Sequence, residues 1–137
     1  MPFVLRFPES HIAKWAAEYA YPGEPELLAG PVAAARRRGH LLFDEFLQIA
    51  EWKSKRPRRY YRQNEPATVK EVTSIALDAR TSPRLSVEIL TLLSGVDWKT
   101  ASVILHLCHT EPYPVLDFRT LWSLTCPEPK TFHHAFW

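Results

Sequence analysis

The stretch Leu92–Leu124, LLSGVDWKTASVILHLCHTEPYPVLDFRTLWSL, decides the fold of this chain. An apolar helical pattern ends in the turn Ser94-Gly95-Val96-Asp97, and a second helical pattern begins near Lys99. A loop with two prolines then leads to Asp117 at the start of a third helix. Gly95 takes a positive φ more easily than other residues, so it suits a tight turn. This order predicts two helices joined by a turn whose backbone N–H groups can bind a phosphate.

The rest of the chain also shows helical periodicity. Apolar residues recur every three or four positions over residues 8–19, 24–38, 42–53, 68–79 and 82–93. Twelve prolines favour many short helices with angular corners over a long up-and-down bundle. We therefore expect an all-α fold, one compact bundle of short helices over residues 1–137 that contains a helix-hairpin-helix. The aromatic, apolar end Thr131–Trp137 is typical of a helix cut short, which suggests a truncated C-terminus.

Several local signals refine this prediction. Pro31 should break the segment 24–38 into two pieces, and Gly39 should end it with a left-handed cap. Thr68–Glu71 has the pattern of a capping box, and Ser82 precedes a helix as its cap. Residues 55–64 are expected to form a loop. A last group is predicted to lie in the core as an aromatic stripe: Trp15, Tyr19, Phe43 and Phe46.

Composition limits the classes of protein to which the chain can belong. Its 137 residues, 46% apolar and 23% charged, suit one globular domain, and no apolar run reaches the roughly 18 residues of a membrane span. The two cysteines, Cys108 and Cys126, cannot supply a four-ligand zinc or iron–sulfur site, and His106 with His109 lacks further ligands. We predict no metal, no cofactor, no membrane partner and a monomer. A buried free thiol at Cys108 favours a cytosolic protein.

The net charge of +2 is small, but the positive charges are clustered. One cluster within ten positions comprises Lys53, Lys55, Arg56, Arg58, Arg59 and Arg62. A second is Arg36–Arg38. Such clusters are typical of proteins that bind a phosphate backbone, although a solvated face has the same composition. Tyr60 and Tyr61 lie inside the first cluster, where aromatic rings can stack on bases.

The decisive stretch carries two motifs at a defined spacing. Residues 93–101, LSGVDWKTA, match a hairpin pattern close to L-P-G-V-G-x-K-T-A, and PVLDFR at 114–119 follows it. Lys99 and Asp117 are 18 residues apart. Over about 33 residues the chain resembles the helix-hairpin-helix–GPD superfamily of DNA base-excision glycosylases, related to endonuclease III. It departs from that pattern where Ser94 replaces proline and Asp97 replaces the second glycine.

The resemblance implies a role for each motif, and a location either in the cytoplasm with nucleoid association or in the nucleus. Lys99 would attack the anomeric carbon of the deoxyribose as a neutral amine, and β-elimination could then nick the strand. Asp117 would stabilise the positive charge that grows on the sugar as the base departs. The hairpin would bind double-stranded DNA through Ser94, Gly95, Val96, Asp97, Trp98 and Thr100, helped by Lys53, Lys55, Arg56, Arg58 and Arg59. The flipped base would meet Trp52, Tyr60, Tyr61 and Trp98 as pocket or wedge residues.

Other interpretations of the same residues stay open. Asp117 can be a simple helix N-cap, and Lys99 an exposed lysine in the first turn of a helix. The chain can then be a non-catalytic helix-hairpin-helix protein that binds DNA, since the hairpin and the basic clusters support both functions equally. A weaker alternative is a scaffold whose aromatic tail docks a partner protein. The pairing of Lys99 with Asp117 favours the enzyme.

Overall fold

A computed structural model describes residues 3–137, and this part of the chain is helical with no β-strand. The all-α class predicted from the sequence is confirmed. The helices are α1 Ile12–Glu18, α2 Glu24–Leu27, α3 Ala33–Arg38, α4 Phe43–Lys53, α5 Arg58–Tyr61, α6 Pro66–Ala76, α7 Pro83–Leu90, α8 Trp98–Cys108 and α9 Phe118–Ser123. A 3₁₀ turn, Glu9–His11, precedes α1, and a π-helical turn, Leu28–Val32, links α2 to α3. None of the described helices is long and apolar enough to cross a membrane.

The described chain divides into two compact units. The first consists of residues 3–22 and 116–137, and the second is Gly23–Val115. We refer to them as the terminal unit and the central unit. The single-domain organisation predicted from chain length stays a prediction.

Helix α8 is the centre of the central unit's core. Eight of its eleven residues are buried, and it packs against α3, α4 and α7. The three that are not buried are Trp98, Lys99 and His106. Helices α4, α6 and α7 bury one apolar stripe each, as their periodicity predicts. The packed core thus fixes α8 from Thr100 onward, and Trp98 and Lys99 extend from its N-terminal end.

In the terminal unit, the irregular N-terminal segment packs along α9. The N–H of Arg6 donates to the carbonyl of Ser123 (3.0 Å), and the Thr125 hydroxyl donates to the carbonyl of Val4 (2.6 Å). The Arg6 guanidinium lies over the Trp122 ring, 4.7 Å from its centroid. These contacts hold the two ends of this unit together.

Several local predictions were right and others were wrong. Ser82 caps α7 and Gly39 ends α3 with φ +86°, as expected. Helix α6 begins at Pro66 and not at Thr68, because a proline at the first helical position has no N–H to lose. Pro31 does not break its segment, because the wider π-helical turn accommodates the missing N–H.

The predicted aromatic stripe is only half right. Phe46 is fully buried and Phe43 half-buried, whereas Trp15 and Tyr19 are 51% and 59% exposed. Every residue of α1 is exposed, so its helical spacing does not mark a core face. Periodicity predicted the helix correctly but not what would cover it.

Candidate nucleic-acid interface

The turn between α7 and α8 has the order that the sequence predicts: helix, Gly-containing turn, helix. Gly95 has φ +83°, in the left-handed region that favours glycine. The N–H of Val96 donates to the carbonyl of Leu93 (3.1 Å), and the Val96 side chain is buried between the helices. We call Ser94–Asp97 the hairpin turn. The backbone of the turn is tightly constrained, so its exposed N–H groups have one fixed orientation.

Asp97 begins α8 as its N-cap. Its Oδ1 accepts a hydrogen bond from the N–H of Thr100 (2.9 Å), and its carbonyl accepts from the N–H of Ala101 (2.9 Å). A carboxylate is favourable there because it satisfies an otherwise unpaired donor and opposes the helix dipole. The aspartate that replaces a glycine of the family pattern therefore has a structural role of its own.

Lys99 is the second residue of α8 and is half-buried. Its carbonyl accepts a hydrogen bond from the Ser102 hydroxyl (2.8 Å). The side chain therefore starts from a fixed backbone, one turn away from the hairpin glycine. The role of Lys99 as a nucleophile beside the hairpin turn stays a prediction.

A single asparagine ties the hairpin turn to a distant segment. The Asn64 amide pairs with both backbone groups of Ser94: its Oδ1 accepts from the Ser94 N–H (2.8 Å) and its Nδ2 donates to the Ser94 carbonyl (3.1 Å). The same Nδ2 donates to the carbonyl of Tyr61 at the end of α5 (2.9 Å). Asn64 thus joins α5 to the turn. Serine at position 94 makes this pairing feasible, since proline has no N–H to donate.

The hairpin glycine lies directly against α5. A Cβ added to Gly95 would stand 2.8 Å from Cδ1 of Tyr61 and 3.1 Å from Cβ of Tyr60. Only a residue without a side chain permits this approach. Gly95 is therefore needed twice, for its positive φ and for its contact with α5.

The basic cluster lies on and around α5. This segment was predicted to be a loop, but residues 58–61 form one helical turn. Arg59 stacks on the ring of Tyr60, 4.7 Å from its centroid, and donates to the Tyr60 hydroxyl (2.8 Å). Exposed cations here are Lys55, Arg56, Arg58, Arg59 and Arg62, and Lys53 is half-buried. Arg62 pairs with Glu51. The structure thus brings two sequence-predicted segments, the basic cluster and the hairpin, together within the central unit.

Some residues predicted to contact DNA are occupied by the fold. Tyr61 is 0% exposed, with its ring edge-to-face against Phe46 (5.8 Å), and burial raises the pKa of its hydroxyl. It is a core residue, and the expectation that it stacks on a base was wrong. Of the two tyrosines, only Tyr60 presents an exposed ring.

The backbone of the turn is also partly used. The N–H groups of Ser94, Val96 and Thr100 donate within the protein, as described above, and the Thr100 side chain is buried. These three groups are not available to a phosphate, contrary to expectation. The N–H groups of Gly95 and Asp97 make no hydrogen bond within residues 3–137. They are the donors of the turn that a phosphate can take.

The remaining predicted residues have defined positions. Trp52, at the end of α4, is half-buried beside Gly23, where an added Cβ would lie 3.5 Å from its Cδ1. Trp98 is the first residue of α8 and is half-buried. Their contact with a flipped base stays a prediction.

Asp117 caps α9 in the terminal unit. Its Oδ1 accepts from the N–H (2.9 Å) and the hydroxyl (3.1 Å) of Thr120, and the residue is half-buried. It stands at a helix N-terminus, as the sequence predicts. Lys99 belongs to the central unit. That Lys99 and Asp117 line a common cleft therefore stays a prediction.

A groove of about 610 Å³ lies at the other end of α8, in the central unit. Its walls are stiffened by hydrogen bonds: Nε of Arg36 donates to the carbonyl of Leu107 (2.6 Å), and Nδ1 of His106 bonds the carbonyl of Tyr113 (2.8 Å). Nδ1 of His109 accepts from the N–H of Glu111 (2.9 Å), and burial lowers the pKa of His109. The described residues contain no cluster of three or more His, Cys, Asp or Glu able to hold a metal ion.

Asn64 is the site residue that sequence reasoning missed. It carries no charge, follows a basic run and lies in a segment that the sequence predicts to be a loop, so no local pattern marked it as a link to the turn. Its partner lies 30 residues further along the chain.

Comparison with known proteins adds no relative. No protein-family model, curated protein or solved structure matches this chain.

Proposed function

We propose that this protein binds double-stranded DNA through the hairpin turn and α5, and that it excises a base as a glycosylase of the base-excision type. One observation carries the proposal: Gly95 of the turn packs on Tyr60 and Tyr61 of the basic segment. Because of this contact, the hairpin turn and the basic cluster on α5 form a single surface, and both can bind phosphates of the same duplex. Both elements belong to the central unit, which has a packed core to hold them.

The proposed contacts divide into two kinds. Lys55, Arg56, Arg58 and Arg59 supply positive charge along the phosphate backbone, and the Gly95 N–H supplies a directed hydrogen bond. Such contacts give affinity without reading sequence. Binding should therefore weaken steeply as salt rises, because each neutralised phosphate releases counterions.

The chemistry would belong to Lys99 and Asp117. A bond forms from Nζ of a neutral Lys99 to C1′ of the flipped nucleotide, and the glycosidic bond breaks with its electron pair leaving on the base. The departing base gains a proton and the amine loses one. The C1′–O4′ bond then breaks, O4′ takes up the remaining proton of the amine, and the C1′–N bond becomes an imine. Removal of a 2′ proton forms a C2′–C3′ double bond and breaks the C3′–O bond, so the 3′ phosphate leaves with its electron pair. The Asp117 carboxylate stabilises the positive charge at C1′.

A trapping experiment tests the enzyme directly. The protein is incubated with duplex DNA that contains an abasic site, and borohydride is added to reduce any imine to a stable amine. We expect a covalent adduct with the wild-type protein and none with Lys99→Gln, while Lys70→Gln, which changes an exposed lysine of α6, traps normally. Equal trapping by wild type and Lys99→Gln would remove Lys99 from the mechanism.

A non-catalytic DNA-binding protein is the second candidate, and one observation favours it. The hairpin turn and α5 lie in the central unit, whereas Asp117 lies in the terminal unit, so the proposed binding surface does not include Asp117. This candidate predicts salt-dependent duplex binding with neither an adduct nor release of a base. A panel of duplexes with damaged or mismatched bases, compared for wild type and Asp117→Asn, separates it from a glycosylase that lacks lyase activity.

A further inference from the structure

We infer that Asn64 is a positioning residue for DNA binding, and that its amide makes the hairpin turn and α5 act as one backbone-binding surface. This inference rests on the proposed function, because the ligand is the same duplex DNA. Asn64 carries no charge and lies outside the hairpin turn and the basic cluster. The inference is that it nevertheless contributes to the electrostatic part of the affinity for DNA. The mechanism is the paired hydrogen bonding of Asn64 with Ser94.

Helix α5 is too short to hold its shape alone. It has four residues, and isolated helices of that length are not stable in water. Its end is held by Nδ2 of Asn64, which donates to the Tyr61 carbonyl, and its buried face is held by Tyr61 itself. The same Nδ2 donates to Ser94, so the end of α5 and the turn share one donor group.

The exposed face of α5 consists of the residues that would meet DNA. Arg58 and Arg59 lie on it, and Tyr60 supports Arg59 by stacking. Because Asn64 fixes this segment to the turn, the cations and the Gly95 N–H are held in one arrangement before DNA arrives. Binding then loses little conformational entropy at these groups. Without the amide, the buried Tyr61 still anchors the segment, but its exposed residues are held less firmly to the turn and their cations must be ordered by the DNA.

The salt dependence of binding distinguishes positioning from simple structural support. The slope of log K against log salt counts the phosphates neutralised, at about 0.9 per phosphate for duplex DNA. Asn64→Ala changes no charge, so a residue that only stabilised the fold would leave this slope unaltered in the folded fraction. If Asn64 is a positioning residue, its removal lowers this slope, because cations of α5 no longer contact phosphates.

The experiment measures duplex binding between about 50 and 200 mM salt for wild type, Asn64→Ala and Gln63→Ala. We expect Asn64→Ala to lose about one unit of slope, and therefore to bind about twentyfold more weakly at 50 mM salt and about fivefold more weakly at 200 mM. Gln63→Ala, a neutral change at the neighbouring exposed residue, should behave as wild type. If wild type binds DNA and the slope of Asn64→Ala is unchanged, the inference is overturned and the proposed function stands. If wild type does not bind DNA, both fail.

A second variant addresses the same link if Asn64→Ala does not fold. Asn64 contacts the backbone of Ser94 and not its side chain, so a substitution at position 94 tests the link only if it removes the backbone N–H. Ser94→Pro removes the N–H from which Oδ1 of Asn64 accepts a hydrogen bond. It should lower the slope of log K against log salt, as expected of Asn64→Ala. An unchanged slope in Ser94→Pro would contradict the inference.

Discussion

The side-chain amide of Asn64 pairs with the backbone N–H and carbonyl of Ser94, at 2.8 and 3.1 Å, across 30 residues of sequence. The arrangement resembles the pairing of two peptide groups. It satisfies both polar groups of a turn residue, and an unpaired one would carry a cost wherever the turn is shielded from water. A serine in place of proline is what leaves the N–H available. A departure from the hairpin pattern is thus matched by a compensating residue elsewhere.

Gly95→Ala should destabilise the protein by about 2 to 3 kcal/mol. The new methyl group would lie 2.8 Å from the Tyr61 ring, and φ +83° is strained for any residue with a side chain. Tyr61 is fully buried and cannot move aside without disturbing Phe46. Urea unfolding followed by circular dichroism measures the change.

Two other glycines serve as controls for that measurement. Gly39→Ala meets the same strain, with φ +86°, but open space around the added carbon, so it should cost less. Gly30→Ala meets neither and should be neutral or slightly stabilising. Equal losses at Gly39 and Gly95 would show that the contact with Tyr61 contributes nothing.

Asp97 should limit DNA affinity while stabilising α8. Asp97→Asn keeps an oxygen that can accept from the Thr100 N–H, so the stability should change by less than about 0.5 kcal/mol, while Asp97→Ala should lose about 1 kcal/mol. Removing an exposed negative charge from the hairpin turn should strengthen duplex binding several-fold at low salt, and less at high salt. Thermal unfolding and fluorescence anisotropy measure the two effects. Weaker binding by a stable Asp97→Asn would contradict a phosphate contact at this turn.

The ion pair between Arg38 and Glu45 predicts a loss of stability in acid. Hydrogen bonds from Arg38, at 2.8 and 3.0 Å, hold the pKa of Glu45 below its usual range. A lowered pKa in the folded state means that the carboxylate stabilises the fold fully above its unfolded pKa, about 4.3, and that this contribution disappears as the pH falls through the folded value.

Glu45→Gln should therefore be less stable than wild type at pH 7, and the difference should shrink towards pH 3. Oε2 of Glu45 also accepts from the N–H of Leu42, so part of the loss reflects the helix start. Arg38→Gln removes the partner and should show the same decline with pH. A difference that is constant from pH 7 to pH 3 would rule out this pair as the cause. Denaturant titrations at a series of pH values provide the measurement.

Only one of the two thiols should react in the native protein. Burial raises the pKa of Cys108 to about 12, whereas Cys126 is half-exposed. At pH 8 a thiol reagent should modify one cysteine per molecule rapidly, and the second only after denaturation. Cys126→Ser should then be inert until it unfolds. Rapid modification of that variant would show that α8 opens locally.

Sequence reasoning succeeded where structure is local. The caps at Ser82 and Asp117 depend on hydrogen bonds within three residues, and both form. Hydrophobic periodicity did not predict α5, because a single helical turn is too short to show a repeat and Pro57 indicated a loop. It also failed for Trp15 and Tyr19, since helical spacing does not reveal whether another element covers a face. Asn64 and the burial of Tyr61 depend on contacts with residues some thirty positions away, which no local pattern encodes.

The two roles open to Asp117 can be separated by a pair of substitutions. As an N-cap, its Oδ1 accepts from the N–H and hydroxyl of Thr120, and asparagine caps helices about as well as aspartate. Asp117→Asn should therefore keep the stability within about 0.5 kcal/mol, whereas Asp117→Ala should lose about 1 kcal/mol. A carboxylate that stabilises charge on the sugar is different, because an amide cannot replace its negative charge.

If Asp117 is catalytic, Asp117→Asn should lose base excision by about a hundredfold or more while it remains as stable as wild type. If it is only a cap, excision should follow stability, and Asp117→Asn should retain nearly all of it. Single-turnover excision and thermal unfolding on the same preparations give both quantities. Retained excision in Asp117→Asn together with a loss in Asp117→Ala would assign the residue to the helix and not to the reaction, and the nucleophile would then have to act without this carboxylate.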